Sequence, residues 1–205
     1  MATRTWQGGT GVWNLAANWS PATIPANTDD VYIVSGSVDI TGEDQSAVTL
    51  NSLTVGTQYS GTIGSSGTKL QINATNFVFS GTGATNYIEG QFTTVTVQNT
   101  STNTAALNLS GSSDTITTLR ILGGRGGVNI ASSCNLVTTI EQIGAEGVTT
   151  TIADGTTIGA SCELRIDSGR MELNQAIPTI TVFGGELEAG LDSGTVTTLD
   201  IYGGR

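Results

Sequence analysis

Side chains able to do chemistry are few in this sequence. The 205 residues include no histidine, two cysteines, 7 basic and 17 acidic side chains, for a formal net charge of −10. Without histidine there is no Ser/His or Cys/His arrangement and no ordinary base near neutral pH. Carboxylate pairs are what remains. Asp29 and Asp30 are adjacent, so on a strand they face opposite ways. Glu186 and Glu188 stand two apart and share a face, as do Arg165 and Asp167 on a regular strand. Paired carboxylates are the equipment of glycan cleavage. Two counts oppose that use: Lys69 is the only lysine, and sugar-stacking aromatics are sparse beyond the first 33 residues, with Tyr59, Tyr87, Phe183 and Tyr202 the main ones. The expectation is a protein that is not an enzyme, with no catalytic residue and no cofactor.

Metal and nucleotide chemistry are equally poorly served. Cys134 and Cys162 sit in the shared frame I-x-x-S-C-x-L, at Ile130–Leu136 and Ile158–Leu164. Two thiols without histidine do not make a zinc site, so the frame predicts buried thiols at equivalent places in a repeat. A disulfide needs the two to be close neighbours and an oxidising compartment. No phosphate-binding glycine loop ends in Lys-Ser or Lys-Thr, and "ADGTTIGAS" from Ala153 carries too few aspartates for a calcium repeat. A chain of net charge −10 repels a phosphate backbone, so nucleic acid is not an expected partner. No charged leader precedes an apolar run, and no apolar run reaches about 18 residues. Production in a cytoplasm, with no membrane partner, is the resulting expectation.

The elements that must carry these residues announce themselves as a repeat. One phrase recurs: apolar, any, apolar, any, Gly or Ser-Gly, charge. Its best copies are "LRILGGR" (Leu119–Arg125), "LRIDSGR" (Leu164–Arg170), "ITVFGGE" (Ile180–Glu186) and "LDIYGGR" (Leu199–Arg205). With looser copies, lead positions fall at 53, 70, 95, 119, 140, 164, 180 and 199, a mean step of about 21 residues. Apolar-x-apolar is the period-2 signature of a strand with one buried face, and "LNL" at Leu107, "VNI" at Val128 and "MEL" at Met171 add a second strand per step. Paired glycines supply positive backbone angles at tight corners. The 35 Thr suit a stack in which like residues meet above and below. This predicts an all-β chain folded as a parallel β-helix with coils of about 20 residues over positions 34–205, right-handed by precedent. A β-sandwich is the competing arrangement, and it does not explain the shared corner.

Residues 1–33 break the pattern. They hold all three tryptophans, Trp6, Trp13 and Trp19, in the frame W-x-G-G-x-G-x-W-N-x-A-x-N-W. This frame resembles a segment at the start of many bacterial and phage β-helical surface proteins. Two roles follow from it: a cap whose indole rings cover the first coil, or an attachment segment whose tryptophans bind a partner.

At the level of pattern, the whole chain resembles small tailspike-like capsid cement, or decoration, proteins of tailed phages. The resemblance lies in size, low charge and Thr/Gly/Asn-rich coils, and carries no contact residue with it. It implies a homotrimer of parallel β-helices that clamps the major capsid protein on the outside of a virion. Receptor- or glycan-binding as a tail or adhesin module is the alternative, and polysaccharide cleavage a more distant one. Leu199, Ile201 and Tyr202 are still inside a repeat phrase, so sister chains, another protein or a few residues of the repeat folded over themselves are expected to cover that rung.

Overall fold

The computed structural model describes residues 1–98, 107–110, 115–144, 146–190 and 194–205. The triplets are strands, and they stack as a parallel β-solenoid of about 21 residues per coil. A single turn of 3-10 helix, Ala16–Asn18, interrupts the strands among the described residues. The stack answers to one requirement: each strand's N–H and C=O groups are satisfied by the coils on either side, so every coil must offer the same inward and outward alternation.

The first face shows this register directly. Val31, Leu53, Phe77, Val95, Leu119, Ile140, Leu164, Ile180 and Leu199 lie opposite one another on successive coils. From Val31 to Ile180 this column is buried, and each such side chain contributes about 1.5–3 kcal/mol relative to exposure. A second face stacks Asn86–Glu89, Leu107–Leu109, Val128–Ile130, Thr149–Ile152, Arg170–Leu173 and Glu186–Ala189. A third, shorter face aligns Leu50, Ala74, Phe92, Ile116, Leu136 and Ile158. The triplets at Leu107, Val128 and Met171 therefore belong together, on the second face.

Two expectations need correcting. The lead residue of the coil after Leu53 is Phe77, not Leu70. Strand Leu70–Phe79 runs through a bend and carries two apolar triplets, and Leu70 pairs with Ile88 instead. Likewise the two cysteine frames are not equivalent. Leu136, ending the first frame, pairs with Ile158 on the third face, whereas Leu164, ending the second, pairs with Ile140 on the first. Cys134 and Cys162 thus precede different faces, and a shared sequence frame has been used at two different corners. Both thiols are buried, as expected. Cys134 Sγ donates to the Leu109 carbonyl at 3.1 Å, and burial, followed by the charge of Glu163, pushes the Cys162 thiol up to about 11.

The boundary drawn after residue 33 falls inside strand Asp30–Gly36. Thr3–Thr5 pairs in parallel with Asp30–Tyr32, so the first segment adds to the same sheet as the body. Its return strand, Trp19–Ser20, pairs antiparallel with Thr3–Trp6.

The corner glycines behave as the repeat implied. Gly124, Gly169, Gly185 and Gly204 all have positive φ. At Gly185, with φ +77°, an added Cβ would stand 2.5 Å from the Gly169 carbonyl oxygen of the neighbouring coil. Gly67 has no neighbour within 4 Å. Gly185→Ala is therefore expected to cost about 1–3 kcal/mol, seen as a lower thermal midpoint, while Gly67→Ala leaves the midpoint close to wild type. Equal midpoints for the two variants would contradict this account of the corners.

Candidate functional site

The tryptophans are brought together, but on the inside. Trp6, Trp13 and Trp19 are 3%, 0% and 2% exposed. Trp19 is central, with edge-on contacts to Trp6 at 5.0 Å and to Trp13 at 4.7 Å between ring centroids. Its Nε1–H donates to the Trp13 carbonyl at 2.8 Å. The rest of the motif holds this cluster in place. Asn18 Nδ2 donates to the Val12 carbonyl at 2.7 Å, and Gly9 passes so close to the Asn18 amide that no Cβ fits. Glu43, from the body, accepts hydrogen bonds from the backbone N–H groups of Trp13 and Asn14 at 3.1 and 3.2 Å. The indoles are core of the first coil and cannot serve as exposed partner anchors in this arrangement. Besides Met1, the exposed large apolar side chains of the segment are Val12 and Leu15, 37% and 41% exposed.

The carboxylate candidates are each engaged. Asp29 and Asp30 do turn to different partners. Asp29 accepts hydrogen bonds from Ala2 N at 2.9 Å, Arg4 Nε at 3.0 Å and Ala26 N at 3.2 Å. Asp30 accepts from Ser52 Oγ at 2.6 Å and Asn51 Nδ2 at 2.7 Å. Burial raises the Asp29 carboxyl, but the hydrogen bonds from Ala2, Arg4 and Ala26 together with the Arg4 charge outweigh it, leaving the group below its ordinary value. Asp30 is also held low, chiefly by Ser52 and then Asn51. Both are anions near neutral pH, unsuited to donating a proton.

Glu186 and Glu188 share a face, as their spacing requires, and both meet arginine. Glu188 pairs with Arg170, which also reaches Glu172 at 3.1 Å, and Glu186 meets Arg205 at 3.4 Å. Arg165 and Asp167 form a two-point pair at 2.8 Å for each contact. The Arg165 guanidinium also lies over Phe183, 4.9 Å from the ring centroid, and Phe183 stacks on Tyr202 at 5.2 Å. On the first face Arg120, Glu141 and Arg165 occupy one outward column on successive coils, with Arg120 and Glu141 2.7 Å apart.

A recess that the sequence did not indicate lies over the corner joining the first and second faces. It measures about 560 Å³ and collects Glu146, Asp167, Ser168, Arg170, Glu186 and Arg205 among its lining residues. Asp167 and Glu186 come from two different expected pairs; Arg165 and Glu188 lie outside the lining. Its carboxylates and guanidiniums can hydrogen-bond a polar solute. No group of three or more metal-ligating side chains is poised to hold an ion among the described residues.

Leu199, Ile201 and Tyr202 do not form one patch. Leu199 and Ile201 continue the inward columns through Ile180 and Val182, while Tyr202 stacks on the outer side with Phe183. They are 51%, 58% and 72% exposed. No described helix is long and apolar enough to cross a membrane. No family model matches the chain, and no curated protein or solved structure matches it.

Because the folded-state value of Asp29 lies below its ordinary 3.8, its contribution to stability is complete above the unfolded value and is lost as pH falls through the folded one. Tryptophan fluorescence followed from pH 7 downward is expected to report loosening of the capping cluster in that acid range. Asp29→Asn should weaken the cluster at pH 7 and remove that part of the acid dependence. An unchanged acid profile in the variant would show that Asp29 does not govern the cluster.

Proposed function

We propose that this chain is a structural protein that decorates and stabilises an assembled shell, acting as a trimer of side-by-side right-handed solenoids, with a viral capsid as the natural shell and its major subunit as the partner. The observation that carries this reading is the engagement of the carboxylates. The pairs that would serve catalysis are tied to arginine, to backbone N–H groups or to Ser and Asn side chains within the solenoid. A surface made of rung-to-rung pairs adds rigidity and area, and binding by area and avidity is what a clamp on a multivalent shell requires. The pattern resemblance to small capsid decoration proteins points the same way.

In this reading the shell meets the outside of the capping segment, at Val12 and Leu15, and the tryptophans shape that surface from beneath. Removing residues 1–20 would expose the first coil, so point changes are the cleaner test. Wild-type protein mixed with undecorated capsids should co-sediment with them and raise their thermal disruption temperature. Val12→Asp with Leu15→Asp should lower occupancy by about tenfold or more, with the protein's own melting unchanged. Full occupancy by the double variant would remove this surface from the proposal. Failure of the wild-type protein to bind any capsid would remove the shell.

A further inference from the structure

Two inward columns of the solenoid turn polar on the same coil. On the first face Gln142 stands between Ile121 and Ile166, and on the second Thr150 stands between Val128 and Met171. Gln142 and Thr150 are both 0% exposed, and they belong to consecutive strands, Asn135–Gln142 and Thr149–Ile152. Five buried side-chain polar atoms have no hydrogen-bond partner among the described residues, and two of the five are Gln142 Oε1 and Thr150 Oγ1. A buried polar atom without a partner carries its full desolvation penalty. Two apolar columns interrupted together therefore need a common reason.

The hydrogen bonds that Gln142 does make narrow the choice. Its Nε2 donates to the carbonyls of Ser168 and Arg170, at 3.0 and 3.2 Å. Those two acceptors fix which end of the carboxamide is nitrogen, so the unpaired end is an oxygen that can only accept. Arg170 lies opposite Thr149, and the next residue, Met171, lies opposite Thr150. This register carries the carboxamide to within one residue of Thr150 along the neighbouring coil. We infer that the coil holds one internal water molecule, bound between Gln142 Oε1 and Thr150 Oγ1. The water accepts the proton of the Thr150 hydroxyl and donates one of its own to Oε1, which completes both side chains. Satisfying buried polar groups in this way is what internal waters do. A cation fits poorly, because both oxygens are neutral and their column neighbours are apolar. The water ties the end of the first face to the start of the second within one coil. Gln142 extends the tie to the Ser168 and Arg170 carbonyls of the next.

A crystal structure of the full chain that orders internal water tests the site. One density peak is expected at about 2.7–3.2 Å from both Gln142 Oε1 and Thr150 Oγ1. In solution, magnetisation transfer from a long-lived water to the Gln142 side-chain amide protons is expected. Thr150→Val removes one of the two partners, so it should empty the site and lower the thermal midpoint by about 2–4 °C. Thr150→Ser keeps a hydroxyl and should retain both the peak and the transfer. If Thr150→Val fails to fold, the wild-type density and the Thr150→Ser variant decide. A Thr150 hydroxyl bonded directly to Oε1, with no peak between them, overturns the proposal. So does a peak with the coordination distances of a metal ion. A peak that persists in folded Thr150→Val overturns it as well, because other groups would then hold the water.

Discussion

Parallel register is the constraint on which everything else in this molecule depends. A coil's backbone groups are satisfied by the coils beside it, so a slip of one residue would turn a whole inward column to solvent. This explains why Leu119, Ile140 and Leu164 stand in line with different residues between them. It also explains why corners vary in length while strand positions do not. Even the inward Gln142 obeys it, occupying the column of Ile121 and Ile166, with its amide donating to the carbonyls of Ser168 and Arg170 at the corner.

The same stacking organises the exterior. Residues in one outward column are separated only by the strand spacing, about 4.8 Å, so like charges on successive coils would repel. Arginine and carboxylate alternate through Arg120, Glu141 and Arg165, and Arg170 is set against Glu172 and Glu188. These exposed pairs add little stability individually. Their effect is to let an acidic chain stack its own side chains.

The capping segment meets a different need. A first coil has neighbours on one side only, and the inward residues there require cover. Three indoles supply a large buried surface in few residues, and Gly9, Asn18 and Glu43 hold the loop that carries them. The frame of Trp, Gly and Asn is thus a packing motif, and its contribution to any partner is made through the surface it supports.

The sequence by itself determined the strand triplets, the corner glycines, the coil length and the shared facing of Glu186 and Glu188, because period 2 and positive φ are local properties. Leu119, Gly185 and the Glu186–Glu188 pair were all legible in this way. It left undetermined which coil position pairs with which. "LQI" at Leu70 and "FVF" at Phe77 are equally good triplets, and only stacking against Leu53 selects Phe77. Nor could it separate the two cysteine frames, since the bend that sends them to different faces depends on the coils alongside. The inward turn of Trp6, Trp13 and Trp19 and the recess that joins Asp167 to Glu186 were decided by the tertiary structure alone. Each gathers residues from different coils, and which coils lie side by side is set by register and burial along the whole stack.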